Sequence, residues 1–199
     1  MFKKLCVLGL STCLLAPAAW ANWHVDNDDS ELYFLSTKAT NTGVTGVTER
    51  FNFDQISGTL TDQGKIRFEL DVASLDTDID IRDERMKEKL FLGKEHPKIV
   101  FEGEVDPTKL KKLETGHYKD LDLEGKLTIN GHHHPIEADL RVVQLADGKL
   151  AVHTLEPILI KAEDFKLKEG LATLQEIAGL ALIVEQVPVN FSLILTPQK

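Results

Sequence analysis

The chain has 199 residues, with 32 acidic and 23 basic side chains, a net charge of −9 and two cysteines. That balance excludes proteins that work through a basic surface, such as nucleic-acid binders and proteins that adhere to anionic headgroups. The length suits one domain with a core of its own.

Residues 1–21 read as a secretory signal. Lys3 and Lys4 form a cationic start, residues 5–15 are mostly apolar, Pro17 breaks the run, and Ala19-Trp20-Ala21 puts small residues where a signal peptidase reads. Cleavage is expected after Ala21, leaving 22–199 as a single domain in the periplasm. The apolar run is too short for an ordinary membrane-spanning helix. A lipoprotein reading through Cys13 is disfavoured, because Thr12 is large for that site and the apolar run continues past it. Cys6 and Cys13 both lie in the signal, so the mature chain has no disulfide and no thiol nucleophile and must be held by its core. Cleavage removes two lysines and no acid, leaving 21 basic and 32 acidic groups, or −11. Solubility is the simplest reading of that charge.

After the signal, alternation of apolar and polar residues dominates, the period-two mark of strands with one wet and one dry face. Strands are expected at 31–36, 49–53, 56–61 and 65–72. In the last, Ile66, Phe68, Leu70 and Val72 share a face opposite Lys65, Arg67, Glu69 and Asp71. Residues 81–90 are charged and read as a short helix whose dry face is Ile81, the stem of Arg85, Met86 and Leu90. Strands follow at 98–105 and 121–129. Asn130-Gly131 then signals a two-residue type I′ hairpin. Such a turn sets Ile129 opposite His132, Leu127 opposite His134, Gly125 opposite Ile136 and Leu123 opposite Ala138, which aligns the apolar faces. Further strands are expected at 136–143, 149–155 and 187–195. Between the last two, Leu167, Leu171, Leu174 and Ile177 recur at helical spacing within 165–178, with Gly179 placed as a C-terminal cap. About nine strand candidates and one or two short helical inserts predict an all-β, antiparallel fold. A sheet of this length buries its dry face by closing into a barrel of about eight strands, either packed solid or holding one small ligand.

Several stretches, in order, resemble the YceI family of exported, lipocalin-like, polyisoprenoid-binding proteins. Trp23-His24-Val25-Asp26 with Ser30, Leu32 and Phe34 is similar to the family's opening strand. Leu75-Asp76-Thr77, Arg82-Asp83, Met86, Leu90 and Phe91 resemble its most recognisable block. His96-Pro97-Lys98-Ile99-Val100-Phe101 resembles the next strand, and Gly125-Lys126-Leu127-Thr128-Ile129-Asn130-Gly131 the family hairpin. The ending is similar too, from Asp164-Phe165 through Ala178-Gly179-Leu180 to Val187-Pro188-Val189-Asn190-Phe191. Two stretches depart from the pattern. Thr37-Lys38-Ala39-Thr40-Asn41-Thr42-Gly43 replaces a histidine-containing segment, and His132-His133-His134 stands where smaller hydroxyl residues are usual.

The resemblance implies an elongated lipocalin-like barrel with a helix beside it and an apolar tunnel for an isoprenoid chain. Periodicity alone favours an ordinary packed core. The resemblance makes that interior a tunnel lined by residues such as Phe34, Phe53, Phe68, Phe101, Leu123, Leu127 and Phe191. Arg82 and Asp83 are read either as a headgroup contact at the tunnel mouth or, in preference, as an anchor pinning the insert to the barrel through the guanidinium fork.

His132 and His134 share the inward face and invite a zinc or copper reading, but a firm site needs three or four ligands. A polar rim is the preferred role. The sequence has no Gly-x-Ser-x-Gly elbow, no His-Glu-x-x-His and no phosphate-binding glycine loop, so no enzyme and no cofactor are expected. The expected partner is an isoprenoid lipid, either a polyprenyl lipid or a quinone. Transient contact with a membrane or a membrane redox protein is also expected, but no nucleic acid and no integral membrane span. The competing readings are an interaction module built on a packed barrel and a metal binder through His132 and His134.

Overall fold

In a computed structural model, residues 22–40, 46–110 and 113–198 are described. The segment expected to be a secretory signal, residues 1–21 with both cysteines, lies outside them. The strands are β1 (Trp23–Thr40), β2 (Val47–Phe53), β3 (Ile56–Leu60), β4 (Lys65–Asp71), β5 (Leu75–Asp76), β6 (Lys98–Glu104), β7 (Tyr118–Ile129), β8 (His132–Gln144), β9 (Leu150–Thr154), β10 (Ile158–Lys161), β11 (Leu180–Ile183) and β12 (Gln186–Pro197). Helix α1 (Asp80–Arg85) runs into a π-helical turn, Met86–Leu90, and α2 spans Lys168–Ile177.

All strand pairs are antiparallel. The ring runs β1-β3-β4-β6-β7-β8-β9-β12 and closes where β12 returns to β1. It is an antiparallel barrel of eight staves, as the alternation predicts. Three staves are broken in two. Strands β2 and β3 both lie along β1, β5 extends β4 against β2, and β10 extends β9 along β12. Strand β11 adds to the far end of β1. Closure pairs the first and last of the described strands, Trp23 with Pro197, so neither is left as an open edge there.

The hairpin after β7 forms as the turn residues dictate. Asn130 and Gly131 both have positive φ, 51° and 74°, and all four predicted cross-strand pairs are present. Strand β8 pairs with β9 only from Leu140 onward. Its earlier half is a free edge facing β10, covered by the turn Ala162–Phe165, in which Phe165 is fully buried. Pro135 belongs on that edge. Ile129 and His132 close the turn as a hydrogen-bonded pair, so the Lys126–Pro135 pair is not one, and an amide at 135 would point away from β7.

Three strand segments are not legible as alternation: β5, β10 and β11. Strand β1 begins well before the expected 31–36, at Trp23, and crosses the polar run Asn27-Asp28-Asp29-Ser30 through a register shift between Asp26 and Glu31. The first helix also differs from expectation. Ile81 is 51% exposed and Arg85 is exposed, while Asp83, Met86 and Leu90 face inward. The hydrogen bonds from Thr77 to Asp83 rotate α1 so that its carboxylate turns in, and the π turn then resets the phase for Met86 and Leu90. Leu167, just before helix α2, and Leu171 and Leu174 within it face the core as expected, whereas Ile177 at the helix end is exposed. Gly179 follows with φ of 63°, the left-handed conformation that ends the helix.

The buried residues form two clusters stacked along the barrel axis. The base holds Leu60, Val105, Leu121, Leu140, Val142, Leu150, Val152 and Leu195. The helix-covered end holds Phe34, Phe51, Phe53, Leu75, Met86, Leu90, Phe91, Phe165 and Leu167. No helix among the described residues is long and apolar enough to cross a membrane.

Candidate functional site

The helix-covered half of the barrel encloses a cavity of about 200 Å³. All seven residues expected to face the interior line it: Phe34, Phe53, Phe68, Phe101, Leu123, Leu127 and Phe191. They do so because strict alternation on β1, β2, β4, β6, β7 and β12 leaves their side chains no other direction to point. Of the lining residues, only Ser36 and Glu185 carry polar side chains.

The roof is Met86, Leu90 and Phe91 from the first insert with Leu167 and Leu171 from the second. Gly170 lets these two inserts meet: a Cβ there would lie 2.6 Å from the carbonyl oxygen of Lys89. Asn130, on the β7–β8 turn, ties the roof down by donating to the carbonyl of Leu90 at 2.8 Å. A set of rings runs from wall to roof. Phe34 meets Phe51 edge-on at 5.4 Å and Phe53 at 6.1 Å, and Phe53 meets Phe91 edge-on at 5.8 Å. The lower wall is shaped by glycine. Phe68 lies across Gly58, where a Cβ would fall 2.0 Å from its ring, and Phe101 lies across Gly125, where a Cβ would fall 2.2 Å away.

The rim is formed by Ser36 with Ile183, Val184 and Glu185 of the β11–β12 turn. Lys168, at the start of α2, reaches both Glu185 and Glu163 at 3.1 Å. Hydrogen bonds first to Glu185 and then to Glu163 hold its ammonium above the usual lysine value.

Arg82 and Asp83 do not line the cavity; the structure places them in an anchor. Asp83 accepts from the amide of Thr77 at 3.0 Å and from its hydroxyl, and both residues are buried. Arg82 donates through Nε to the Thr77 hydroxyl, through Nη2 to the Thr77 carbonyl, and through Nη1 to both oxygens of Glu49 at 3.0 Å. Its guanidinium stacks 4.5 Å above the ring of Phe51. Lys38 also contacts Glu49. Burial opposes the charge on Glu49, but the hydrogen bonds and charges of Lys38 and Arg82 outweigh it and hold the carboxyl below the usual glutamate value. The anchor thus clamps α1 to β1 and β2, next to the roof.

His132 and His134 share the inward parity, as the hairpin register requires, but lie outside the cavity lining. His134 sits against the Ala162–Phe165 turn, with Nε2 3.6 Å from Asp164 and its ring 6.0 Å from that of Phe165. The described residues bring no group of three His, Cys, Asp or Glu side chains together at metal-binding range.

Alternation did not indicate the roof as lining, nor the β10 wall of Ile158 and Ile160, nor Glu185. The helical spacing of Leu167 and Leu171 was the available signal for the roof. The short segment after Pro157 offered none for β10.

A wall of this composition offers apolar area and shape, with almost no groups that could form hydrogen bonds. The comparisons agree with that geometry. The family described as YceI-like domain matches residues 23–195. A polyisoprenoid binding domain from Saccharophagus degradans, implicated in plant cell wall breakdown, superposes with a TM-score of 0.83 at 31% identity, over 90% of this chain and 99% of its own. BcnA from Burkholderia cenocepacia shares the fold at TM-score 0.65 and 20% identity, over 85% of this chain and 98% of its own. A YCEI protein from Campylobacter jejuni shares it at TM-score 0.53 and 20% identity, over 81% and 91%. No curated protein matches the sequence. The chain is a barrel binding protein in architecture, and it belongs to the YceI-like domain family.

Proposed function

We propose that the protein is a periplasmic carrier or store for a polyisoprenoid-type lipid, a polyprenyl lipid or an isoprenoid quinone, and that it performs no catalysis. The observation behind this reading is the cavity itself: an almost wholly apolar space inside a closed barrel, with its two polar side chains at the rim. The Saccharophagus degradans domain, similar over nearly the whole described chain, supports an isoprenoid as the occupant. Burying roughly 300–400 Å² of an isoprenoid tail gains on the order of 10 kcal/mol before association costs, a driving force that needs no polar contact. Residues 1–21 are the secretory signal that places the mature chain in the periplasm.

The test is native mass spectrometry of the mature protein, purified from its own host without detergent, followed by organic extraction of what it holds. A discrete isoprenoid adduct is expected. Phe101→Asp, which puts an unpaired carboxylate on the cavity wall, should abolish it. A fully apo mass under these conditions, or an adduct retained by folded Phe101→Asp, counts against the reading. The same preparation, fractionated from periplasm and cytoplasm, checks the location.

A further inference from the structure

The lower wall of the cavity has a feature that packing alone does not require. Phe68 and Phe101 are direct cross-strand partners on β4 and β6, and both point inward. Neither ring projects across the lumen. Each is folded onto a neighbouring strand at a position without a side chain: Phe68 onto Gly58 of β3, its own cross-strand partner, and Phe101 onto Gly125 of β7. The fit is tight, since a Cβ at either glycine would fall 2.0 Å and 2.2 Å from the rings. Both rings also touch the packed base, so they stand at the depth where the hollow half ends.

We propose that Gly58 and Gly125 are specificity determinants: they recess Phe68 and Phe101 into the wall, and so set the depth of the cavity and the longest isoprenoid tail it admits. A side chain at either glycine leaves its phenylalanine only the lumen to occupy, which raises the cavity floor. Removing a ring lowers the floor onto the glycine wall. The two kinds of change act on tail length in opposite directions, whereas residues nearer the roof act on tails of every length alike. This inference rests on the cavity holding an isoprenoid tail.

The experiment measures binding of a series of all-trans prenols, from farnesol to solanesol, to the full mature protein by native mass spectrometry and competition. Phe101→Ala should extend the longest prenol retained by about one isoprene unit. Gly125→Ala should shorten it by about the same amount. Phe53→Leu, high on the wall, should weaken all prenols without moving the limit. Glu102 contributes a backbone oxygen 2.6 Å from the Gly125 Cβ position, so Gly125→Ala also strains the barrel. If that variant does not fold, Phe101→Ala decides the matter alone. A folded Phe101→Ala with an unchanged length limit overturns the inference while leaving the carrier reading intact. If the parent protein binds prenols of no length, both fall.

Discussion

The base of the barrel and its helix-covered end use the same alternation of side chains and reach different results. At the base, Leu150 and Leu195 are at most 2% exposed. Toward the other end, Leu32, Leu70, Leu127, Ile136, Val187 and Val189 point inward on the same strands, yet are only half-buried. Their remaining surface faces the cavity they line. Alternation therefore decides which way a side chain points. Whether the space behind it is filled depends on the summed volume of all eight staves and on what covers the end. The base is closed by its own leucines and valines. The other end is closed by two inserts that meet above a gap.

The difference can be broken most sharply by deleting the same side chain in each half. Leu150→Ala should cost about 3–4 kcal/mol in urea unfolding, since it opens a void in close-packed surroundings. In protein stripped of lipid, Leu127→Ala should cost about 1–2 kcal/mol, because part of that side chain faces the cavity and not packed neighbours. Equal losses would show that the two halves are packed alike.

The next largest effect is expected at the anchor. Asp83→Ala strands the buried amide and hydroxyl of Thr77 and should cost about 2–3 kcal/mol. It should also raise hydrogen exchange across residues 80–90 while leaving β7 and β9 near the base protected. Uniform loss of protection would mean that the roof and barrel open as one unit.

Acid offers a milder version of the same test. The carboxyl of Glu49 ionises more readily in the folded chain than in the unfolded one. Its contribution is therefore present above the usual value of about 4.5 and is lost as pH falls through the lower folded value. Below pH 4.5 the α1 insert should become protease-sensitive before the barrel unfolds. Glu49→Gln should show that sensitivity at neutral pH and lose its pH dependence. The smallest change in stability is expected from filling the gap. Val187→Phe should stay within about 1 kcal/mol of the parent while displacing lipid, which would separate binding from folding.

The sequence made the wall legible and left the gap hidden. Inward parity was readable for Phe68 and Leu127 because each sits in an uninterrupted alternating run, and the Asn130-Gly131 turn fixed the register of its hairpin without reference to the rest of the chain. Other features depended on distant partners. The polar start of β1 is held as strand by β12, where Ser30 accepts from the amide of Ile194. Strand β10 is too short to declare a period. The inward turn of Asp83 follows from Thr77, six residues earlier, and a helical wheel places Ile81 inside instead. The void is a property of the assembled barrel, and no local pattern encodes it.

The closure of β1 on β12 sets the order in which the chain can fold. The β7–β8 hairpin is local and its turn is preformed, so it can appear within about 1–10 μs. The seam that completes the ring pairs Trp23 with Pro197 and Phe34 with Val189, and must wait for nearly the whole chain to be gathered. Until then β1 and β9 are unpaired edges able to recruit strands from other molecules. A chain lacking residues 186–199 should therefore stall as an aggregating open sheet, with its central hairpin formed. The last strand made is the one that turns a sheet into a vessel.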